Sequence, residues 1–212
     1  MAGNNLKKGK RHFLPYVIFF LFLLIIQSCT LVVRTLYGVT DPKIENKESL
    51  VKFLNKKELD TSNIYCVSFE EFKPTLELSK NKIPDVLIFN KNGEYIPYGE
   101  EWACNASAFN FIEELNNDTL FQTNDLITLD SLLTKFRDFD GNKLNSQDIL
   151  EIKNADFICV AIWAKFTGKL NKTKVKEWEK QARENNNTKI KFIKLNVDLQ
   201  EWWGISEDDL FL

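Results

Sequence analysis

Four cysteines, Cys29, Cys66, Cys104 and Cys159, are the only thiols in this 212-residue chain, and His12 is its only imidazole. His12 stands in a basic leader with Lys7, Lys8, Lys10 and Arg11, so histidine cannot serve the rest of the chain as a base, a metal ligand or a triad member. Thiol chemistry remains, and it needs a thiolate of lowered pKa. Cys66 and Cys159 fall inside apolar, strand-like runs, where a buried and inert thiol is expected. Cys104 differs, because Trp102-Ala103-Cys104-Asn105-Ala106-Ser107 sets it just ahead of a predicted helix with Asn105 or Ser107 as its cap. A helix N-terminus lowers a thiol's pKa, which makes Cys104 the candidate reactive thiol and Cys66 a permitted disulfide partner in an oxidising compartment.

Carboxylates offer less. Asp138, Asp140 and Asn142 have the spacing of the first calcium-loop ligands, but Lys143 stands where that loop needs glycine and Ile149 where it needs a bidentate glutamate. A hairpin turn on Asp140-Gly141 is expected there instead. Gly93, Gly99, Gly141 and Gly168 read as turn residues, and no glycine loop for phosphate, no metal site and no cofactor is expected. The net charge is −2 with no clustered basic surface after the leader, which argues against a nucleic-acid partner. Lys172 to Arg183 mixes Lys and Glu and is expected to be a solvated helix face.

The basic leader runs into an almost uninterrupted apolar stretch, Phe13 to Val33. As a transmembrane anchor, its length suffices to cross a bilayer and leaves everything after Arg34 outside the cytoplasm. As a bacterial lipoprotein signal, its apolar core ends at the box Ile26-Gln27-Ser28-Cys29, with Cys29 as the lipid attachment site. The abundance of Asn, Lys and Ile suits an AT-rich bacterial genome. Either way the folded part is expected outside the cytoplasm, in the periplasm or cell envelope, tethered to a membrane through residues 13–33 or a lipidated Cys29.

Behind the leader, Ile44 to Lys57 reads as a helix whose apolar side carries Leu50, Val51, Phe53 and Leu54, and Asn63 to Phe69 as a strand. Glu70 to Lys80 is a weaker helix, interrupted early by Pro74. Ile83-Pro84 opens a strand, an Asn92-Gly93 turn and a second strand, and a helix follows from about Ala106 to Leu115. The stretch from Asn116 to Leu133 reads as a polar connection. Phe157 to Trp163 is apolar on both faces, so it needs strand neighbours on each edge and helices above and below. Lys191 to Asp198 reads as a further parallel strand.

Three of these stretches carry a family pattern. Phe157 to Leu170 ends in Trp163-Ala164-Lys165-Phe166, then Thr167 and Leu170; Lys194-Leu195-Asn196-Val197-Asp198 closes the last strand; and Asp138-Phe139-Asp140-Gly141 precedes Ile149-Leu150. Together with Ile83-Pro84 they resemble thioredoxins, and in particular the membrane-anchored thiol-disulfide oxidoreductases of exported compartments. The resemblance covers residues 136 to 200 and implies a thioredoxin-like α/β fold, a central sheet flanked by helices, with Pro84 in the cis form. It puts Thr167 and Leu170 at the two cysteine positions and Ala161 where a buried acid is usual. A hydroxyl and an isobutyl group cannot exchange disulfides, so the turn of Trp163, Phe166, Thr167 and Leu170 is a degenerate one.

The proline hairpin precedes the turn here, whereas in thioredoxins it follows, so a permuted sheet is expected. The segments are then a signal or anchor at 1–35, a helix-strand and proline-hairpin half at 36–115, a connection at 116–135, and a strand-helix-strand half at 136–212. The expected function is that of a membrane-tethered binding or accessory module without dithiol activity. An exported protein or peptide would dock beside Trp163, Phe166 and the groove proline Pro84. The alternatives are a redox protein using Cys104, with or without Cys66, and a structural envelope lipoprotein.

Overall fold

The computed structural model describes residues 34–80, 82–99 and 107–206. The expectations that rest on residues 13–33, Cys29 and Cys104 lie outside them. Among the described residues no helix is long and apolar enough to cross a membrane. The chain forms two compact units, residues 1–39 and 40–212. Of the first, residues 34–37 make a helical turn that Gly38 ends at φ 65°.

The second unit is α/β. Its strands are β1 (Ile44–Glu45), β2 (Ile64–Val67), β3 (Asp85–Asn90), β4 (Glu94–Tyr95), β5 (Asn124–Thr128), β6 (Phe136–Arg137), β7 (Phe157–Trp163), β8 (Ile190–Asn196) and β9 (Leu199–Gln200). Its helices are α1 (Lys47–Lys56), α2 (Phe69–Leu78), α3 (Ser107–Glu114), α4 (Leu129–Leu133), α5 (Ser146–Lys153) and α6 (Lys176–Glu184).

Seven strands form one sheet in the order β5-β4-β3-β7-β8-β2-β6, and β1 pairs with β9 separately. All seven residues of β7 are buried, which explains its central place. It runs parallel to β8, with Trp163 opposite Asn196, and antiparallel to β3, with Ile162 opposite Asp85. Strands from before and after residue 116 therefore share one sheet. Its period of two divides β7 between two cores: Cys159, Ala161 and Trp163 face α1, α3 and α6, and Ile158, Val160 and Ile162 face α2, α4 and α5. Leu50 and Leu54 of α1 are wholly buried in the first core, each contributing roughly 2 kcal/mol of transfer free energy.

Two expectations need correction. The polar connection at 116–135 carries an edge strand, β5, and a short helix, α4, whose Leu129, Leu132 and Leu133 are buried. Only Ile127 of β5 is buried, so an edge strand of polar composition left no alternation to read. Pro74 also lies inside α2 rather than ending it. Pro74 and Glu70 are both exposed, so the proline sits on the helix's solvent side.

Candidate functional site

At the C-terminal end of β7 the fold brings together the turn 164–171, the Pro84 hairpin and the end of β8. The Ile83–Pro84 bond is cis, and Pro84 comes one residue before the Asp85–Ile162 register pair. Lys165–Thr167 form a single tight turn, Gly168 closes it at φ 63°, and a wide turn at Asn171–Val175 leads into α6. Thr167 Oγ1 donates to Ala164 O at 2.7 Å and lies 3.1 Å from Asn171 Oδ1. Asn171 Nδ2 donates to the same carbonyl at 2.8 Å. Thr167 and Asn171 are both buried. The Thr167 hydroxyl is thus spent holding the turn, and Leu170 is half-buried hydrocarbon.

Trp163 and Pro84 are buried, and Phe166 is half-buried. The Trp163 ring stacks on Phe53 of α1, with centroids 6.2 Å apart and planes 10° from parallel. One face of the Trp163 ring is therefore covered by the chain's own helix. Space remains beside the proline hairpin, in a cleft of about 220 Å³ lined by Lys80, Lys82, Asp85, Tyr95, Tyr98 and Leu126, among others. There the Tyr98 hydroxyl donates to Asp85 Oδ1 at 2.7 Å.

Beneath the turn lies a buried polar cluster. Asp198 Oδ2 accepts from Lys165 N–H at 2.6 Å and from Asn196 Nδ2 at 2.8 Å. Gln200 Nε2 donates to Asn196 Oδ1 and to Asp198 O, each at 2.8 Å. Asp198 Oδ1 meets no donor among the described residues. Burial pushes the Asp198 carboxyl up to about 6; the nearby Glu45 charge raises it too, and hydrogen bonds from Lys165, Asn196 and Phe166 oppose the rise. Glu45 itself pairs with Lys165 Nζ at 2.5 Å, and that ammonium also donates to Ser49 Oγ at 2.6 Å.

A second buried pair was hidden in the sequence. Lys194, wholly buried, is bonded to Glu179 of α6. Its register partner on β7 is Ala161, so the strand itself supplies no acid and the helix does. The expectation of a solvated face from Lys172 to Arg183 is corrected at this point: Trp178, Glu179 and Ala182 are buried against the sheet.

Cys66 and Cys159 are free and buried, as their strand settings led one to expect. The Cys66 Sγ lies 3.6 Å from Gln200 Oε1, and burial with the charges of Asp198 and Asp138 pushes its thiol well up. Burial alone pushes Cys159 up to about 12. Asp138 uses its own oxygens in the hairpin turn: Oδ1 accepts from Asp140 N–H at 2.9 Å and Asn142 N–H at 2.8 Å, and Oδ2 from Asn142 Nδ2 at 3.0 Å. No cluster of three or more metal-ligating residues occurs among the described residues. Glu45, Glu179, Lys194 and Gln200 escaped the sequence reading. The available signal was Lys194, Asn196 and Asp198 alternating with Leu195 and Val197 at the strand end. No family model matches the chain, and neither a curated protein nor a solved structure does.

Proposed function

We propose that the protein is a membrane-tethered, exported domain of thioredoxin-like fold that lacks dithiol-disulfide activity and works as a binding or accessory module. The observation that carries this reading is the turn itself. Thr167 and Leu170 stand where the exchanging thiols would be, and the Thr167 hydroxyl is buried and committed to Ala164 O. The sheet order around β7, with a cis-proline hairpin on one side and the Asn196–Asp198 strand end on the other, supports the fold half of the proposal. The basic leader and the apolar run Phe13 to Val33 support the tether, by signal anchor or by lipidation of Cys29.

An extended peptide of an exported partner docks, in this reading, along the cleft beside the Pro84 hairpin, since α1 occupies the Trp163 side. A redox alternative rests on Cys104 alone, because Cys66 is wholly buried and its thiol is held in the neutral form. Insulin reduction by residues 36–212 tests the proposal. Turnover no greater than that of a cysteine-free variant is expected, and robust thiol-dependent turnover would sink it.

A further inference from the structure

Residues 40–45 lie along the 164–171 turn. Thr40 N–H donates to Phe166 O at 2.9 Å, Ile44 and Glu45 pair in parallel with Leu199 and Gln200, and Glu45 holds the Lys165 ammonium. Asp198 sits among these contacts, bonded to the Lys165 backbone N–H through Oδ2 and, among the described residues, with no donor at hydrogen-bond distance from Oδ1. Two carboxylates, Glu45 at 7% and Asp198 at 1% exposure, thus share one lysine, and only Glu45 touches its ammonium. We propose that Asp198, Glu45 and Lys165 form a proton-operated clasp that holds residues 40–45 on the turn, closed when Asp198 carries a proton and loosened when it is charged.

The electrostatics set the direction. With all three groups ionised the site carries one net negative charge on two buried carboxylates, and one proton removes it. Oδ1 is the oxygen free to take that proton, so Oδ2 keeps both of its donors. The other groups packed here do not change the balance. Asn196 and Gln200 are neutral, and Cys66 of β2 reaches the cluster through Gln200 as a neutral thiol, which is where the charge of Asp138 acts. Release of residues 40–45 lets water reach Asp198 and returns it to the ordinary carboxylate range. The native carboxyl is pushed up to about 6 from 3.8, so the ratio of released to closed chain rises by up to about a hundredfold as pH climbs past that window.

Hydrogen exchange of the full chain in detergent micelles, corrected for intrinsic rates, tests the clasp between pH 3.5 and 8. Protection of the amides at 40–45 is expected to fall by up to about a hundredfold relative to those of β7, and in Asp198→Asn to stay high and flat. A flat profile in the wild type, or an equal fall in the variant, would overturn the proposal. Carbon-13 titration of the Asp198 carboxyl in the wild-type chain stands independently of whether the variant folds. A midpoint near 6 supports the clasp, and one at or below about 4 overturns it.

Discussion

Glu179 and Asp198 are both carboxylates buried against β8 or the loop that ends it, and they are satisfied in opposite ways. Glu179 meets a full ammonium, that of Lys194. Asp198 meets only neutral donors, the Lys165 N–H and Asn196 Nδ2 on one oxygen with the Phe166 N–H also favouring its charge, while its other oxygen has no donor at hydrogen-bond distance among the described residues. A buried charge with a counterion of its own is a structural pair whose worth lies in not being broken. A buried charge offered only amides stays half committed to ionisation, and the solution pH decides its state. The difference lies in which element reaches each site: a helix packed across the sheet presents Glu179, whereas a loop end and a two-residue strand surround Asp198.

The largest effect should come from breaking the first pair. Glu179→Ala leaves the Lys194 ammonium buried without its partner and is expected to cost about 3–5 kcal/mol, read as a lower urea midpoint at unchanged slope. Adding Lys194→Met should recover most of that loss, because a buried pair replaced by packed hydrocarbon is close to neutral. If the double variant is no more stable than the single, the pair is not what holds α6 at this point of the sheet.

Asp198 should give a smaller and pH-dependent effect. Its folded value lies above its unfolded one, so its relative contribution is fully present below about pH 4 and is lost as pH rises through about 6. Wild-type stability is expected to fall by about 2–3 kcal/mol across that window relative to Asp198→Asn, which keeps an oxygen for Lys165 N–H and does not titrate. Urea unfolding of both proteins at pH 4.5 and pH 7.5 checks the sign. Parallel stability curves would remove the distinction between the two carboxylates.

How far these sites could be read from sequence follows from what each depends on. β7 was legible because seven consecutive apolar residues admit few places in a fold, and the Pro84 hairpin because Asn92-Gly93 marks its turn. The turn at 164–171 was legible as a chain of residue types, down to Thr167 and Leu170. Lys194 and Glu179 were not, since a Glu on a Lys/Glu-rich helix looks solvated until register sets Ala161 beside Lys194. The setting of Asp198 was hidden for a different reason. Its neighbours Glu45 and Gln200 meet through the pairing of β1 with β9, two residues each, and pairs that short leave no periodicity. The covering of Trp163 by Phe53 was out of reach for the same cause, a contact made only once distant segments have packed.

The smallest effect separates the two roles of Lys165. Its backbone N–H serves Asp198 and its ammonium serves Glu45, so Lys165→Met removes the second and keeps the first. The Lys165 side chain is 31% exposed, so solvent already screens the pair and the stability loss should be only about 1 kcal/mol. The titration is more informative than the midpoint. Without the ammonium, the charge of Glu45 faces Asp198 uncompensated, so the Asp198 carboxyl should titrate at a higher pH than in the wild type. Carbon-13 titration of the variant reads this directly. An Asp198 midpoint that moves down would mean that Glu45 does not press on it, and the two buried carboxylates would then be independent despite sharing one lysine.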